Sequence, residues 1–146
     1  MKPEEFLVLA VRLSASPGEA ERRSAVSRAH YAIFHAARLA VEDCGIVCPS
    51  SAEVHDKLAK CLQNAGDADL AMVGDKLNMF RAVRNSADYR LHDQRFTNGK
   101  FVALQLASAR ETADALNEAC KHVPAFRAAL RRYAKDILKL TVRGDD

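Results

Sequence analysis

The chain has 146 residues, of which 49% are hydrophobic and 28% charged, with six glycines and four prolines. This length and composition predict one globular domain and exclude a disordered chain, and the scarcity of glycine and proline argues against a turn-rich all-β fold. The net charge of +3 is unevenly placed, because residues 1–120 carry a net charge of −1 and residues 121–143 a net charge of +6.

The hydropathy and the N-terminal residues predict a cytoplasmic protein. No apolar run approaches the roughly 18 residues that a membrane span needs, and residues 1–5, MKPEE, lack the basic-then-apolar layout of a signal peptide. We therefore expect a cytoplasmic protein that does not associate with a membrane. In that compartment the cysteines should be reduced thiols: Cys44, Cys48, Cys61 and Cys120.

The first two predicted helices occupy residues 3–43. The first opens at Pro3 and ends at Ser14 to Ser16. The second starts from Ser16-Pro17-Gly18-Glu19, where serine is placed to cap the helix, proline takes its first position and Glu19 completes a capping box. It should run to about Asp43. Its apolar stripe, spaced for a helix, predicts the core face: Val26, Ala29, Ile33, Phe34, Ala37, Ala40 and Val41.

The third and fourth helices are predicted from their caps. Ser50 is the expected N-cap of the third helix, which should end near Gly66. Asp67 is the expected cap of the fourth, which we predict to reach Leu91 or His92. The buried side of the fourth helix is predicted from one apolar row: Leu70, Val73, Leu77 and Phe80.

The remaining chain predicts two more helices. A turn at Thr97-Asn98-Gly99 precedes a fifth helix from Phe101 to His122, and Pro124 separates it from a sixth, from Ala125 to Leu140. No internal repeat or long linker divides the chain. We therefore predict a single all-α domain over residues 1–146, an up-and-down bundle of five to six helices.

Two segments resemble a known superfamily. One is SRAHYAIFHAAR at residues 27–38, and the other is RNSADY at residues 84–89, followed by His92. Both are similar to segments of the HEPN superfamily, helical-bundle proteins that include bacterial toxins and the partners of minimal nucleotidyltransferases. The likeness covers about residues 20–122, which leaves residues 123–146 as a basic C-terminal helix outside it.

The resemblance implies a homodimeric, metal-independent endoribonuclease of a toxin–antitoxin or antiphage-defence system, with no cofactor. The roles of its active members fall on Arg84, Asn85 and His92 as catalytic residues. Seven residues separate Arg84 from His92, where active members have four to six. This wider spacing favours one alternative, a non-catalytic module that docks a nucleotidyltransferase, an antitoxin or another protein. A third possibility is a subunit that binds RNA or nucleotides without cleaving them.

The fourth helix itself gives an independent reason to look at this segment. Its apolar row continues into Arg84, Asp88 and, if the helix persists, His92, with Arg81 beside them. Buried charge needs a partner. One interpretation is a structural Arg84–Asp88 ion pair at i,i+4. The other is an anion site in which Arg81 and Arg84 bind a phosphate of the substrate, since guanidinium suits that group.

Helix geometry constrains the second interpretation. Eight residues at about 1.5 Å each place the Cα atoms of Arg84 and His92 on the order of 12 Å apart in an unbroken helix. One protomer would reach a single phosphate with difficulty. Either the helix breaks before His92, or the arginine of one chain faces the histidine of another, which predicts a homodimer.

The second helix carries a polar and aromatic face opposite its core stripe. Arg28, Tyr31 and His35 lie there, and this face either meets a partner chain or is solvated. His30 falls within the apolar stripe and is interpreted as a buried core histidine.

Two further groups of side chains are candidates for a metal site and for an RNA-binding surface. Cys44, Cys48, His55 and Cys61 are of the right type for zinc, but their spacing is poor, and buried or idle thiols are expected instead. In the sixth helix a basic ridge recurs every four residues: Arg127, Arg131, Lys135 and Lys139. The ridge is either solvated or a contact surface for an RNA backbone, and in the second case Arg131 and Lys135 would bind substrate.

Overall fold

The computed structural model describes residues 1–144, which form an all-α, bundle-like fold as predicted. No β-strand occurs in this range, and one isolated antiparallel bridge joins Ile46 and Val142. The six α-helices are α1 (Glu4–Ser14), α2 (Glu19–Asp43), α3 (Glu53–Gln63), α4 (Ala68–Tyr89), α5 (Gly99–Ala119) and α6 (Val123–Asp136). None of the helices seen here combines the length and the apolar character that crossing a bilayer requires.

The contacts divide the chain into two compact units. Unit 1 comprises Met1–His35 and Met79–Ala113, and therefore holds α1, the first part of α2 and the end of α4. Unit 2 comprises Ala36–Asn78 and the described residues from Asp114 onward, including α3 and α6, which contact each other. The predicted catalytic residues belong to unit 1 and the predicted basic ridge to unit 2.

The predicted core faces are confirmed. Every residue of the apolar row of α4 is buried, and so is the stripe of α2 except Ala40, which is half-buried. Burial of such side chains contributes about 1.5–3 kcal/mol for each large aliphatic or aromatic group. Gly74 on α4 lies against α3, because a Cβ there would come within 2.8 Å of the Ala59 carbonyl oxygen.

Of the three predicted caps, that of Asp67 is confirmed. The Asp67 carboxylate accepts a hydrogen bond from the Leu70 amide at 2.9 Å and caps α4. Ser16 lies three residues before α2, which begins at Glu19 rather than Pro17, and accepts from the Gly18 amide at 3.5 Å. The prediction for Ser50 is wrong, because α3 begins at Glu53 and its first turn is closed by the backbone. The Val54 amide donates to the Ser51 carbonyl oxygen at 3.1 Å, and Ala52 already has helical angles.

Three predicted helix ends are wrong. Helix α4 ends at Tyr89, before His92, and α5 ends at Ala119, where a 3₁₀ turn takes over. Helix α6 ends at Asp136, four residues earlier than expected. Beyond it, Lys139 adopts a positive φ of 57°, which no α-helix contains.

The segment after α6 returns to the loop between α2 and α3. The Val47 amide donates to the Thr141 carbonyl oxygen at 2.9 Å, and the Arg143 amide donates to that of Gly45 at 2.7 Å. Gly45 has a φ of 87°, and a Cβ there would collide with the Arg143 carbonyl. Glycine is therefore required both by the backbone conformation and by the close approach.

Candidate functional site

Arg23 of α2 closes the C-terminal end of α4. The last carbonyl groups of a helix lack partners within it, and their dipoles favour a cation. Arg23 is only 7% exposed, and its terminal nitrogens donate to five backbone carbonyl oxygens at 2.9–3.2 Å: those of Ser86, Ala87, Arg90, Leu91 and Asp93. Its Nε donates to Glu19 at 2.9 Å, and the guanidinium lies 4.7 Å from the centre of the Phe96 ring. Arg23 thus holds the turn that carries His92.

Arg84 is also largely buried, but its hydrogen bonding is incomplete. Its side chain is 11% exposed, and its Nη1 lies 3.6 Å from the Asp88 carboxylate. The i,i+4 pair expected from the sequence is therefore present. The Nε of Arg84 is buried, and among residues 1–144 it finds no hydrogen-bond partner. An unsatisfied buried donor costs about 1–3 kcal/mol.

A second guanidinium shares the aromatic ring on which Arg84 lies. The centre of the Tyr31 ring is 5.5 Å from the Arg84 guanidinium and 5.1 Å from that of Arg28. Asp88 also accepts a hydrogen bond from Ser27 at 3.2 Å. Arg28 forms no ion pair with any residue of the described chain. This group, which we call the Arg84 cluster (Arg28, Tyr31, Arg84 and Asp88), has two cations for one carboxylate and is suited to an anion.

The other predicted site residues of α4 lie on or after the same helix. Arg81 lies one turn before Arg84, Asn85 lies directly after Arg84, and both are half-buried. His92 lies on the exposed turn beyond α4, and its carbonyl accepts from the Gln94 side chain at 3.3 Å. The sequence left open whether α4 continues through His92 or breaks before it. The helix breaks: α4 ends at Tyr89, so His92 does not continue its face, and Arg23 donates to the carbonyls beyond this end.

The polar face of α2 is covered in part by α1. His35 stacks on Phe6 with ring centres 5.4 Å apart, and Arg28 lies 5.7 Å from the same ring. Tyr31 is 6.4 Å from Phe6. This face is therefore a packing surface within the chain, an arrangement that the sequence interpretation, partner or solvent, did not include. His30 is buried, as expected for a core histidine.

The basic ridge of α6 is interrupted. Arg131 is 5% exposed, and its guanidinium donates to three carbonyl oxygens: those of Cys44 at 2.7 Å, Arg143 at 2.7 Å and Gly144 at 3.2 Å. The expectation that Arg131 belongs to an exposed ridge is wrong, because it ties down the returning segment. Lys139 lies outside the helix, whereas Lys135 is exposed as predicted.

The cysteines occur as free thiols. Burial raises the pKa of Cys61 to about 12 and that of Cys48 to about 11, and it also raises the pKa of Cys44 and Cys120. Such thiols stay protonated at neutral pH and are weak metal ligands. Within residues 1–144 no three histidine, cysteine or acidic side chains are grouped for a metal ion.

Comparison of the chain with protein-family models, with curated proteins and with solved structures found no match. The HEPN resemblance therefore depends on the two sequence segments quoted above.

Sequence reasoning missed Arg23 and misjudged Arg131. Both belong to amphipathic helices with other arginines nearby. The backbone acceptors of Arg23 lie 63–70 residues away in sequence, and the acceptors of Arg131 lie 12, 13 and 87 residues away. For Arg23 a signal was present in its position, because it precedes Ser27 by one helical turn on the buried side of α2. A charged residue at such a position needs a buried partner.

Proposed function

We propose that this chain is a HEPN-like, metal-independent endoribonuclease that works as a homodimer in a toxin–antitoxin or antiphage-defence setting. The observation that carries the proposal is the buried Nε of Arg84, which has no acceptor among residues 1–144. If the Arg84 side chain turns so that this nitrogen reaches the surface, an RNA phosphate that accepts from it recovers the cost of the unsatisfied donor. Phosphate also matches the planar, multiple-donor geometry of guanidinium.

The proposed reaction is an internal transfer at phosphorus. The 2′-hydroxyl oxygen of one nucleotide attacks the adjacent phosphorus, and the bond to the 5′-oxygen of the next nucleotide breaks. One proton leaves the 2′-hydroxyl and one is delivered to the 5′-oxygen, so the products carry a 2′,3′-cyclic phosphate and a free 5′-hydroxyl. His92 performs one of these transfers, because imidazole exchanges protons near neutral pH, and water performs the other.

The two α4 residues act on the phosphate. Arg84 stabilises the charge that develops on the oxygens of the pentacoordinate phosphorus, and Asn85 orients the phosphate. Arg28, which shares the Tyr31 ring with Arg84, adds a second positive charge beside the bound anion.

Two protomers supply the complete site in this proposal. Arg84 is buried on α4, whereas His92 is exposed on the turn beyond the helix. An exposed imidazole on a turn fixed by Arg23 can approach a phosphate held by Arg84 of a second copy. A two-fold dimer then contains two equivalent composite sites.

The first test is RNA cleavage in the presence of EDTA. We expect the wild-type chain to release products with 2′,3′-cyclic phosphate ends, and both His92→Ala and Arg84→Ala to lose at least about 100-fold in rate, the size typical of general acid–base groups. His122→Ala, which alters an exposed histidine of unit 2, is the matched control and should keep full activity. Full activity in both His92→Ala and Arg84→Ala would refute the proposal.

Mixing the two inactive variants tests the composite site directly. In a mixed dimer, the Arg84→Ala chain provides His92 and the His92→Ala chain provides Arg84, so one of the two sites is intact. Random exchange should restore about one quarter of wild-type activity, because half of the dimers are mixed. No recovery after verified exchange would place both residues in one protomer.

A second candidate function is a non-catalytic interaction module. Tyr89 and Leu91, which lie just before His92, are 76% and 72% exposed, and neighbouring exposed apolar side chains mark protein contact surfaces when they form one patch. A protein partner such as a nucleotidyltransferase or an antitoxin would cover them. Stable co-purification of such a partner, lost in Tyr89→Ser/Leu91→Ser and without any RNA cleavage, would favour this function.

A further inference from the structure

Unit 2 contains a cavity of about 410 Å³ on α6 with a strongly basic lining. Four cationic side chains and one carboxylate border it: Arg127, Arg131, Arg132, Lys135 and Asp136. Its volume falls in the range of small-molecule sites. The cavity is separate from the Arg84 cluster, which belongs to unit 1.

The cavity has two walls of different origin. Helix α6 provides the cations, because residues four apart lie on the same helix face. The segment after α6 provides Val142 and Gly144, and it is held in place by the bridge from Ile46 to Val142 and by the bond from the Arg143 amide to Gly45. A basic helix alone would present a convex surface, whereas the returning segment makes this one concave.

Buried Arg131 fixes the second wall. Its guanidinium donates to the carbonyl oxygens of Arg143 and Gly144, which belong to the returning segment. Arg127, Arg132 and Lys135 remain around the opening, and none of these three forms an ion pair within the part of the chain that the structure describes. Three such cations in a concave site repel one another, and a multiply charged anion would relieve that repulsion.

The lining also indicates which part of a ligand is recognised. Ala128 and Val142 supply apolar surface, and none of the described lining residues is aromatic, so a nucleobase has no ring on which to stack. We propose that this cavity binds a compact diphosphate or triphosphate group, either as a free inorganic anion or as the phosphate end of a nucleotide whose base remains outside.

Calorimetric titration of the full chain at low ionic strength tests the proposal, with pyrophosphate, ADP and adenosine as probes. We expect one pyrophosphate per chain, ADP bound within about threefold of pyrophosphate, and no binding of adenosine. ADP binding without pyrophosphate binding would overturn the proposal, because the base would then be the recognised part. Absence of binding by both phosphates would overturn it as well.

Charge-removing variants locate the site. Arg127→Gln/Lys135→Gln should weaken pyrophosphate binding by at least about tenfold, since charge-assisted hydrogen bonds are lost. Arg110→Gln on α5, which removes an exposed arginine outside the cavity, is the matched control and should change binding less than twofold. If the Arg110→Gln variant weakens pyrophosphate binding as much as the double variant does, the binding reflects only non-specific charge attraction, and the proposal is overturned.

Competition with a single-stranded RNA of twelve nucleotides distinguishes a diphosphate-binding cavity from a general RNA-binding surface. Pyrophosphate should displace bound RNA if both use the cavity, whereas RNA binding that depends on Arg127 and Lys135 without any pyrophosphate binding would overturn the proposal. Arg84→Ala and His92→Ala should leave pyrophosphate binding unchanged, so this inference and the ribonuclease proposal fail independently.

Discussion

Arg23 and Arg84 are two buried arginines of the same unit with opposite hydrogen-bonding environments. Arg23 makes six hydrogen bonds, to five carbonyl oxygens and one carboxylate. Arg84 has one carboxylate at 3.6 Å and a buried Nε without a partner in the described chain. Burial of a cation therefore does not by itself mark a functional site, and the difference lies in whether the protein supplies its acceptors.

Arg131 extends the comparison to unit 2. Like Arg23, it donates to backbone carbonyl oxygens outside its own helix: that of Cys44, 87 residues away, and those of Arg143 and Gly144 in the returning segment, which it holds in place. In both cases the guanidinium supplies hydrogen-bond donors to backbone carbonyl groups that lie outside regular structure or at a helix end. Of these three arginines, Arg84 alone retains a buried nitrogen for which residues 1–144 offer no acceptor, and this contrast can be tested by substitution.

The largest effect is expected for Arg23→Ala. This change removes the donor of the buried Ala87 carbonyl and of the part-buried carbonyls of Leu91 and Asp93, whereas the Ser86 and Arg90 carbonyls keep backbone amide donors. We expect the free energy of unfolding to fall by about 3 kcal/mol or more. Arg23→Lys should recover only part of the loss, because a single ammonium group cannot reach the acceptors of both terminal guanidinium nitrogens at once. Urea denaturation followed by circular dichroism measures both variants.

Amide hydrogen exchange near the end of α4 provides a second measurement for the Arg23→Ala variant. Hydrogen exchange at the amides of Arg90 and Asp93, which close the turn after α4, should accelerate more than exchange in α6. A loss in stability below about 1 kcal/mol would mean that water replaces Arg23 at little cost, and the contrast with Arg84 would disappear.

A much smaller effect on stability is expected for Arg84→Met. The substitution removes the ion pair with Asp88 and the contact with Tyr31, but it also removes the unsatisfied donor. The two contributions oppose each other, so the free energy of unfolding should change by less than about 1 kcal/mol, while RNA cleavage is lost. Destabilisation as large as that of Arg23→Ala would make Arg84 a structural residue.

The smallest effect concerns the turn after His92. Hydrogen bonds from Arg95 lower the pKa of Asp93 from 3.8 to about 2. Because the pKa is lower in the folded state, the stabilisation from Asp93 is present above about pH 4 and is lost as the pH falls towards 2. The stability difference between wild type and Asp93→Asn should therefore shrink over that interval in urea titrations. Asp114→Asn, an exposed aspartate of α5, should show no such trend.

The sequence predicted the helices and their buried sides well. The apolar row of α4 and the stripe of α2 depend only on the helical repeat of about 3.6 residues, and Asp67 caps its helix through a contact three residues away. The inward position of Arg84 and its pairing with Asp88 follow from the same repeat. These features are local, and local spacing is what a sequence pattern records.

The helix ends and the arginine partners were not predictable in this way. The predicted α4 ran on to Leu91 or His92, but the carbonyls at its end are taken by Arg23, whose acceptors are 63–70 residues away. The ridge on α6 was expected to include Arg131, whose acceptor Cys44 is 87 residues away. No repeat within α6 distinguishes Arg131 from its exposed neighbour Lys135.

The order of the residues alone predicts a helical chain, the positions of its core faces and an inward-pointing Arg84. Three features emerge only in the folded chain: α4 stops at Tyr89, Arg23 and Arg131 are structural, and the segment after α6 turns a basic helix into a cavity wall. Periodicity fixes which side of a helix is buried, whereas the acceptors of a buried guanidinium come from segments that only folding brings near it.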